Sequence, residues 1–182
     1  SSLHIACLSL NLKEDETLWT SPITFVASAN CGLLCGATID LVDINLDTYN
    51  ICVESLEEKL KLAKKNNKLP KIIVVVHMTG QSCEMNKIKA LSEEYGFKII
   101  EDASHAIGSE YKSKKVGSLE FSDIVVFSFH PVKILTTGEG GIALTNDLDL
   151  ANKMKNFRNH GINKEKEKFL IKNDNPWHYE QI

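Results

Sequence analysis

Hydrophobic positions in this chain alternate between two patterns. Residues 72–76 read Ile-Ile-Val-Val-Val, five apolar side chains in a row. A run without alternation marks a strand buried on both faces, as in a parallel sheet. Upstream, Val53, Leu56, Leu60 and Ala63 recur at helical spacing and predict a helix ending near Asn66-Asn67, preceded by a strand over 38–42. Downstream the alternation continues with a helix over 88–95 stopped by Gly96, then strands over 97–101, 124–129 and 141–144. A last helix is opened by Asn146-Asp147 and closed by His160-Gly161. At the amino end, Leu3, Ala6, Cys7 and Leu10 already have helical spacing and no initiator methionine precedes them, so a fragment is expected. Residues 17–39 carry no charge over 23 positions, but 10 of these are Thr, Ser, Asn, Gly or Pro. Lipid cannot satisfy those polar groups, so a buried strand, turn and helix is expected there, not a membrane span. Strands joined by helical crossovers define an α/β domain with a mainly parallel sheet. Such sheets bind ligands beyond the carboxyl ends of their strands, which directs attention to the residues after Val76, Glu101 and Phe129.

Composition narrows the field. The 182 residues, 43% hydrophobic and 25% charged, suit a globular domain with its own core. With 21 basic and 24 acidic residues the net charge is −3, against the basic excess of a nucleic-acid binder. Cys7, Cys31, Cys35, Cys52 and Cys83 are odd in number and widely spread, which predicts reduced thiols and a cytoplasmic setting. Cys31 and Cys35 are expected to share a helix face, yet with His77 and Cys83 they form no short-spaced set of four ligands, so no metal site is predicted. The mixed-sign run 163–172 reads as a solvated loop or helix.

The chemistry lies at the strand ends. After one strand comes Glu101-Asp102-Ala103-Ser104-His105-Ala106-Ile107-Gly108; after another comes Ser128-Phe129-His130-Pro131-Val132-Lys133, then Gly138-Glu139-Gly140-Gly141. Singly, Asp102 could cap a turn and Lys133 could be a solvated loop residue. Together, an amine able to form a Schiff base and a carboxylate able to hold a pyridinium nitrogen are the minimum equipment of a pyridoxal phosphate (PLP) enzyme. Ser128 is placed to donate to a cofactor phosphate or, alternatively, is a solvated strand-end hydroxyl. The glycines after Thr137 either let backbone pass close to a cofactor or mark a tight turn.

At these motifs the chain resembles the DegT/DnrJ/EryC1/StrS family of PLP-dependent sugar aminotransferases, and the resemblance covers nearly its whole length. It implies a three-layer fold with helices on both faces of the sheet, that of the large domain of fold type I PLP-dependent transferases. Residues 1–182 would be that domain, incomplete at both ends, without the small carboxyl-terminal domain. The resemblance implies roles for particular residues: Lys133 as the Schiff-base lysine and proton shuttle, Asp102 as partner of the ring nitrogen, His105 beside the ring hydroxyl, and Ser128 as a phosphate ligand. Phe25 would stack on the ring, although by itself it could be a core residue, and Ser1 would be the tail of a phosphate-cradling loop. The run from His130 to Glu139 and the terminal Pro176-Trp177-His178-Tyr179-Glu180-Gln181 resemble the branch that aminates a UDP-linked 4-keto-6-deoxy-N-acetyl sugar in pseudaminic acid biosynthesis, with L-glutamate as donor. A homodimer with a shared active site is the assembly the family implies.

Three alternatives compete. Tyr111 and Lys115 have dehydrogenase-like spacing but lie in a lysine-rich stretch that reads as a surface turn, and no Gly-x-Gly-x-x-Gly follows the first strand. A non-catalytic binding or sensor protein could use the same fold, but it would not need both Lys133 and Asp102. Relatives that dehydrate sugars carry histidine in place of the Schiff-base lysine, so Lys133 favours amino transfer.

Overall fold

The computed structural model describes residues 1–165, 167, 169–172 and 175–181. From the amino end, α1 (Ser2–Ser9) precedes β1 (Thr17–Thr20), α2 (Ala27–Leu33), β2 (Thr38–Leu41), α3 (Val53–Lys65) and β3 (Ile72–Val76). A 3-10 turn at Met78–Gly80 leads to α4 (Met85–Tyr95) and β4 (Lys98–Asp102), followed by a hairpin of β5 (Glu110–Tyr111) and β6 (Lys114–Lys115). Then come β7 (Ile124–Ser128), β8 (Gly141–Leu144), α5 (Leu148–Arg158) and a small arm in which β9 (Ile162–Asn163) pairs antiparallel with β10 (Glu180–Gln181).

Six strands form the central sheet in the order β2-β1-β3-β4-β7-β8, parallel throughout except for the antiparallel β7–β8 pair. All five residues of β3 are buried, as an unbroken apolar run requires, and their alternation divides the core in two. Ile73, Val75 and Ile99 face α3 and α4, meeting Leu56, Leu60 and Ile88. Ile72, Val74 and Ile100 face the other way, onto Leu3, Ala6 and Cys7 of α1, Cys31 of α2 and Met154 of α5. The result is three layers with helices on both faces. Fully burying a Leu or Ile is worth about 1.5–3 kcal/mol, so the two apolar stripes dominate the folding energy.

Chain direction across the sheet explains where a ligand can sit. From β1 the chain crosses through α2, on one face, to β2 at the edge. It then returns through α3, on the other face, to β3 on the far side of β1. The reversal leaves a crevice beyond the carboxyl ends of β1 and β3. Val76, Asp102 and Val126 lie side by side in register, so the loops after β3 and β4 leave the sheet at one level, while β7 runs two residues further to Ser128 on the same edge.

Several boundaries differ from those read in the sequence. β4 runs to Asp102 and begins after Phe97, and β7 stops at Ser128, because pairing with neighbouring strands sets the ends. The helix predicted from Ile88 starts three residues earlier, at Met85, which is itself buried. It stops where Gly96 adopts φ +83°, a left-handed conformation with no Cβ to penalise it. Cys35 does not share a helix face with Cys31: α2 ends at Leu33, closed when the Ala37 amide bonds back to the Gly32 carbonyl at 3.1 Å. Residues 17–39 form β1, α2 and the start of β2, as expected, and among the described residues no helix is long and apolar enough to cross a membrane. Of the mixed-sign run, residues 166 and 168 lie outside the described residues; Lys164, Glu165, Glu167 and Lys172 are exposed.

Candidate active site

Asp102 ends β4 with only 5% of its surface exposed. Its carboxylate is held from two sides. Ser28, in the first turn of α2, donates through Oγ to Oδ2 at 2.7 Å. Ser104 donates to Oδ1 through both Oγ, at 2.6 Å, and its amide, at 3.2 Å. Thr24 Oγ1 lies 2.8 Å from Ser28 Oγ, so with Ser28 committed to Asp102 as donor, Thr24 donates to Ser28. Oδ1 thus takes two hydrogen bonds and Oδ2 one, which leaves Oδ2 able to accept a further donor from the cavity.

His105 follows in the loop after β4, and Lys133 comes from the loop after β7, the neighbouring strand. Lys133 Nζ lies 2.9 Å from His105 Nε2. Burial, and then the positive charge of Lys133, hold the His105 imidazole below its ordinary range, with Asp102 pulling weakly the other way. A neutral His105 accepts from the Lys133 ammonium through Nε2, which assigns the ring hydrogen to Nδ1. Ser128, at the end of β7, accepts from the His130 amide at 3.4 Å and keeps its own proton to donate.

All six residues singled out in the sequence, Ser1, Phe25, Asp102, His105, Ser128 and Lys133, line one cavity of about 1090 Å³ at the carboxyl edge of the sheet. Phe25 is 73% exposed there, which removes the alternative of a core residue. Gly140 and Gly141 also line the cavity, while Gly138 lies in the turn before them. Sequence reasoning missed Ser28 and Ser104. The Asp-x-Ser spacing of Asp102 and Ser104 is a recognisable local turn signal, and Ser28 stands one helical turn beyond Phe25.

Other candidates fall away from the site. Tyr111 and Lys115 sit on the two strands of the β5–β6 hairpin, whose turn residues Lys112 and Ser113 both have positive φ. Cys83 packs in the core on the α3/α4 face, whereas Cys31 packs on the opposite face of the sheet. All five cysteines are free. The terminal motif contributes β10, and Gln181 Nε2 donates to the His160 carbonyl at 2.8 Å.

The donor set suits pyridoxal phosphate. A primary amine, a buried carboxylate with spare acceptor capacity, a strand-end hydroxyl and an exposed aromatic face converge on one cavity, matching the cofactor's aldehyde, ring nitrogen, phosphate and ring. The fold is that of the large domain of fold type I PLP-dependent transferases: an aminotransferase from Brucella abortus superposes with a TM-score of 0.85 at 31% identity, over 93% of this chain and 45% of that one. The chain belongs to the DegT/DnrJ/EryC1/StrS aminotransferase family, whose model matches residues 1–174. It is 46% identical, over 91% of its length, to the UDP-4-amino-4,6-dideoxy-N-acetyl-beta-L-altrosamine transaminase of Campylobacter jejuni subsp. jejuni serotype O:23/36 (strain 81-176), and spans 42% of that relative. The Helicobacter pylori aminotransferase PseC, involved in pseudoaminic acid biosynthesis, superposes with a TM-score of 0.78 at 38% identity, over 93% of this chain and 44% of that one.

Proposed function

We propose that this chain is part of the cofactor-binding domain of a PLP-dependent nucleotide-sugar aminotransferase. The reaction moves the amino group of L-glutamate to C4 of a UDP-linked 4-keto-6-deoxy-N-acetyl sugar, giving 2-oxoglutarate and the 4-amino sugar of pseudaminic acid biosynthesis. The observation that carries the reading is the convergence of Lys133, His105 and Asp102 from adjacent strand ends on one cavity. The similarity to the Campylobacter transaminase supports the sugar.

In this reading Asp102 would hold the ring nitrogen, with Ser28 and Ser104 fixing its carboxylate, while Ser128 and Ser1 would donate to the phosphate and Phe25 would cover the ring. When bound, the cofactor supplies a carbonyl carbon that carries the amino group between substrates and an electron sink for charge developed at the substrate carbon. Lys133 supplies the amine that anchors the cofactor and, once released, moves a proton as general base and then general acid. Neutral His105 accepts a hydrogen bond from Lys133 and thereby orients its Nζ. A homodimer completes the site, and five free thiols support a cytoplasmic setting.

Because one site serves both substrates in turn, the kinetics are expected to be ping-pong. Varying L-glutamate at several fixed keto-sugar concentrations should give parallel reciprocal plots, and glutamate alone should release 2-oxoglutarate in an amount matching the sites. Intersecting plots, with no release before the keto sugar is added, would overturn the scheme.

A further inference from the structure

Beside the cavity, which Met78 helps to line, the chain makes a turn that is unfavourable on its own. Thr79 has φ 53° and Gly80 follows with φ +91°, two successive left-handed residues in the loop after β3. For threonine such a conformation costs free energy and persists only where the surroundings hold it. A buried side chain does so here. Asn50, 4% exposed, grips both ends of the turn: its Oδ1 accepts from the Met78 amide at 3.0 Å, and its Nδ2 donates to the Gln81 carbonyl at 3.0 Å. His77, which precedes the turn, is tied as well. Its Nδ1 accepts from the Cys83 amide at 3.3 Å and its Nε2 donates to Glu101 at 2.7 Å.

What the turn presses against is the loop that carries His105. A Cβ built on Gly80 would lie 2.7 Å from the His105 carbonyl oxygen, closer than any side chain tolerates. The Gly80 carbonyl accepts from Ser109 Oγ at 2.7 Å, joining the two loops a second time. The histidine backbone is thus seated on the turn, and its ring reaches forward to Lys133 at 2.9 Å. None of Asn50, Gly80 and Ser109 lines the cavity.

We propose that Asn50 and the turn it clamps are a positioning device, which sets the imidazole of His105 at hydrogen-bond distance from the Lys133 amine. Asn50, Gly80 and Ser109 act through His105 and touch neither cofactor nor substrate. The assignment to catalysis rests on the PLP reading; the geometry of the relay does not.

The test uses Gly80→Ala, which drives a methyl into the His105 carbonyl, and Ser109→Ala, which removes the second tie without adding bulk. Ser109→Thr keeps the hydroxyl and serves as the rescue. The first readout needs no cofactor: the titration of the His105 ring followed by NMR. Burial first, and then the positive charge of Lys133, hold its midpoint down, while Asp102 pulls the other way; Lys133 and Asp102 are the charged groups facing it. In both disrupting variants the midpoint should rise toward the ordinary imidazole range as the ring moves off Lys133, and in Ser109→Thr it should stay at the wild-type value. The second readout is the rate at which borohydride traps pyridoxal phosphate on Lys133, expected to fall about threefold to tenfold in the disrupting variants. If Gly80→Ala does not fold, the Ser109 pair decides. An unchanged His105 midpoint in Ser109→Ala overturns the proposal. A wild-type protein that never traps the cofactor on Lys133 counts against the PLP reading instead, and the NMR result still decides the relay.

Discussion

Asp102 is the residue whose surroundings are most completely specified, with three donor groups on one carboxylate at the end of a paired strand. An amide in its place keeps the shape but loses the charge that would hold a ring proton. Asp102→Asn should therefore retain bound cofactor and lower turnover by on the order of a hundredfold, measured as kcat beside a cofactor titration. Unchanged turnover would remove Asp102 from the chemistry. Ser28→Ala deletes one donor to that charged carboxylate, worth about 1.5–3 kcal/mol, and should cost about tenfold to a hundredfold. His105 makes a different prediction. Its folded-state midpoint is depressed, so the unfolded chain binds a proton at a higher pH than the native one does. Its contribution to stability is present above the ordinary imidazole range and is lost as pH falls through the depressed midpoint. The thermal midpoint should thus fall as pH drops through that window, and His105→Gln should flatten the fall; an identical profile in the variant would refute the linkage. Asp102 and Lys133 were legible in the sequence because their residue types and strand-end positions imply chemistry. Ser28 was not, because a serine within a helix carries no local sign of the carboxylate that β4 brings to it from 74 positions away.

At the scale of elements, α3 shows what a hydrophobic stripe can and cannot say. Leu56 and Leu60 are fully buried, while Leu62 on the same helix is 61% exposed. Truncating either of the first two to alanine should cost about 2–5 kcal/mol, while Leu62→Ala should stay within about 0.5 kcal/mol of wild type. Urea unfolding checks both, and equal losses at all three positions would mean that α3 is not seated on this sheet. The stripe of α3 and the unbroken run of β3 were readable because both patterns are imposed by burial. Strand ends were less so: β4 extends to Asp102 only because Val76 and Val126 flank it, and both partners are distant in sequence. The antiparallel direction of β8 and the two-residue pairing of β9 with β10 leave no periodic trace at all. α5 was legible from its cap: Asp147 accepts from the amides of Asp149 and Leu150 at 2.8 and 3.1 Å.

For the whole molecule, the telling feature is apolar surface at the mouth of the cavity. Val132, Ile134 and Leu135 flank Lys133 with 78%, 67% and 57% of their surface exposed, and Val132 shares the cavity wall with Phe25. Val26, Leu33 and Leu34 of the α2 region add further exposed apolar side chains. An apolar rim around a polar site marks an interaction surface, because water is a poor neighbour for both the rim and the charges inside. In the proposed homodimer a second copy covers this rim, so cofactor binding and association are linked: whatever binds the dimer better than the monomer strengthens the dimer by the same factor. Sedimentation should accordingly show a concentration-dependent monomer–dimer equilibrium that pyridoxal phosphate shifts toward dimer, and cofactor affinity should weaken on dilution. Ile134→Glu with Leu135→Glu places two charges on the rim without touching the core, and should give a folded monomer with reduced cofactor affinity. A wild-type protein that stays monomeric at all concentrations, or that binds the cofactor equally well as monomer and dimer, would show that the cavity needs no second copy to close it.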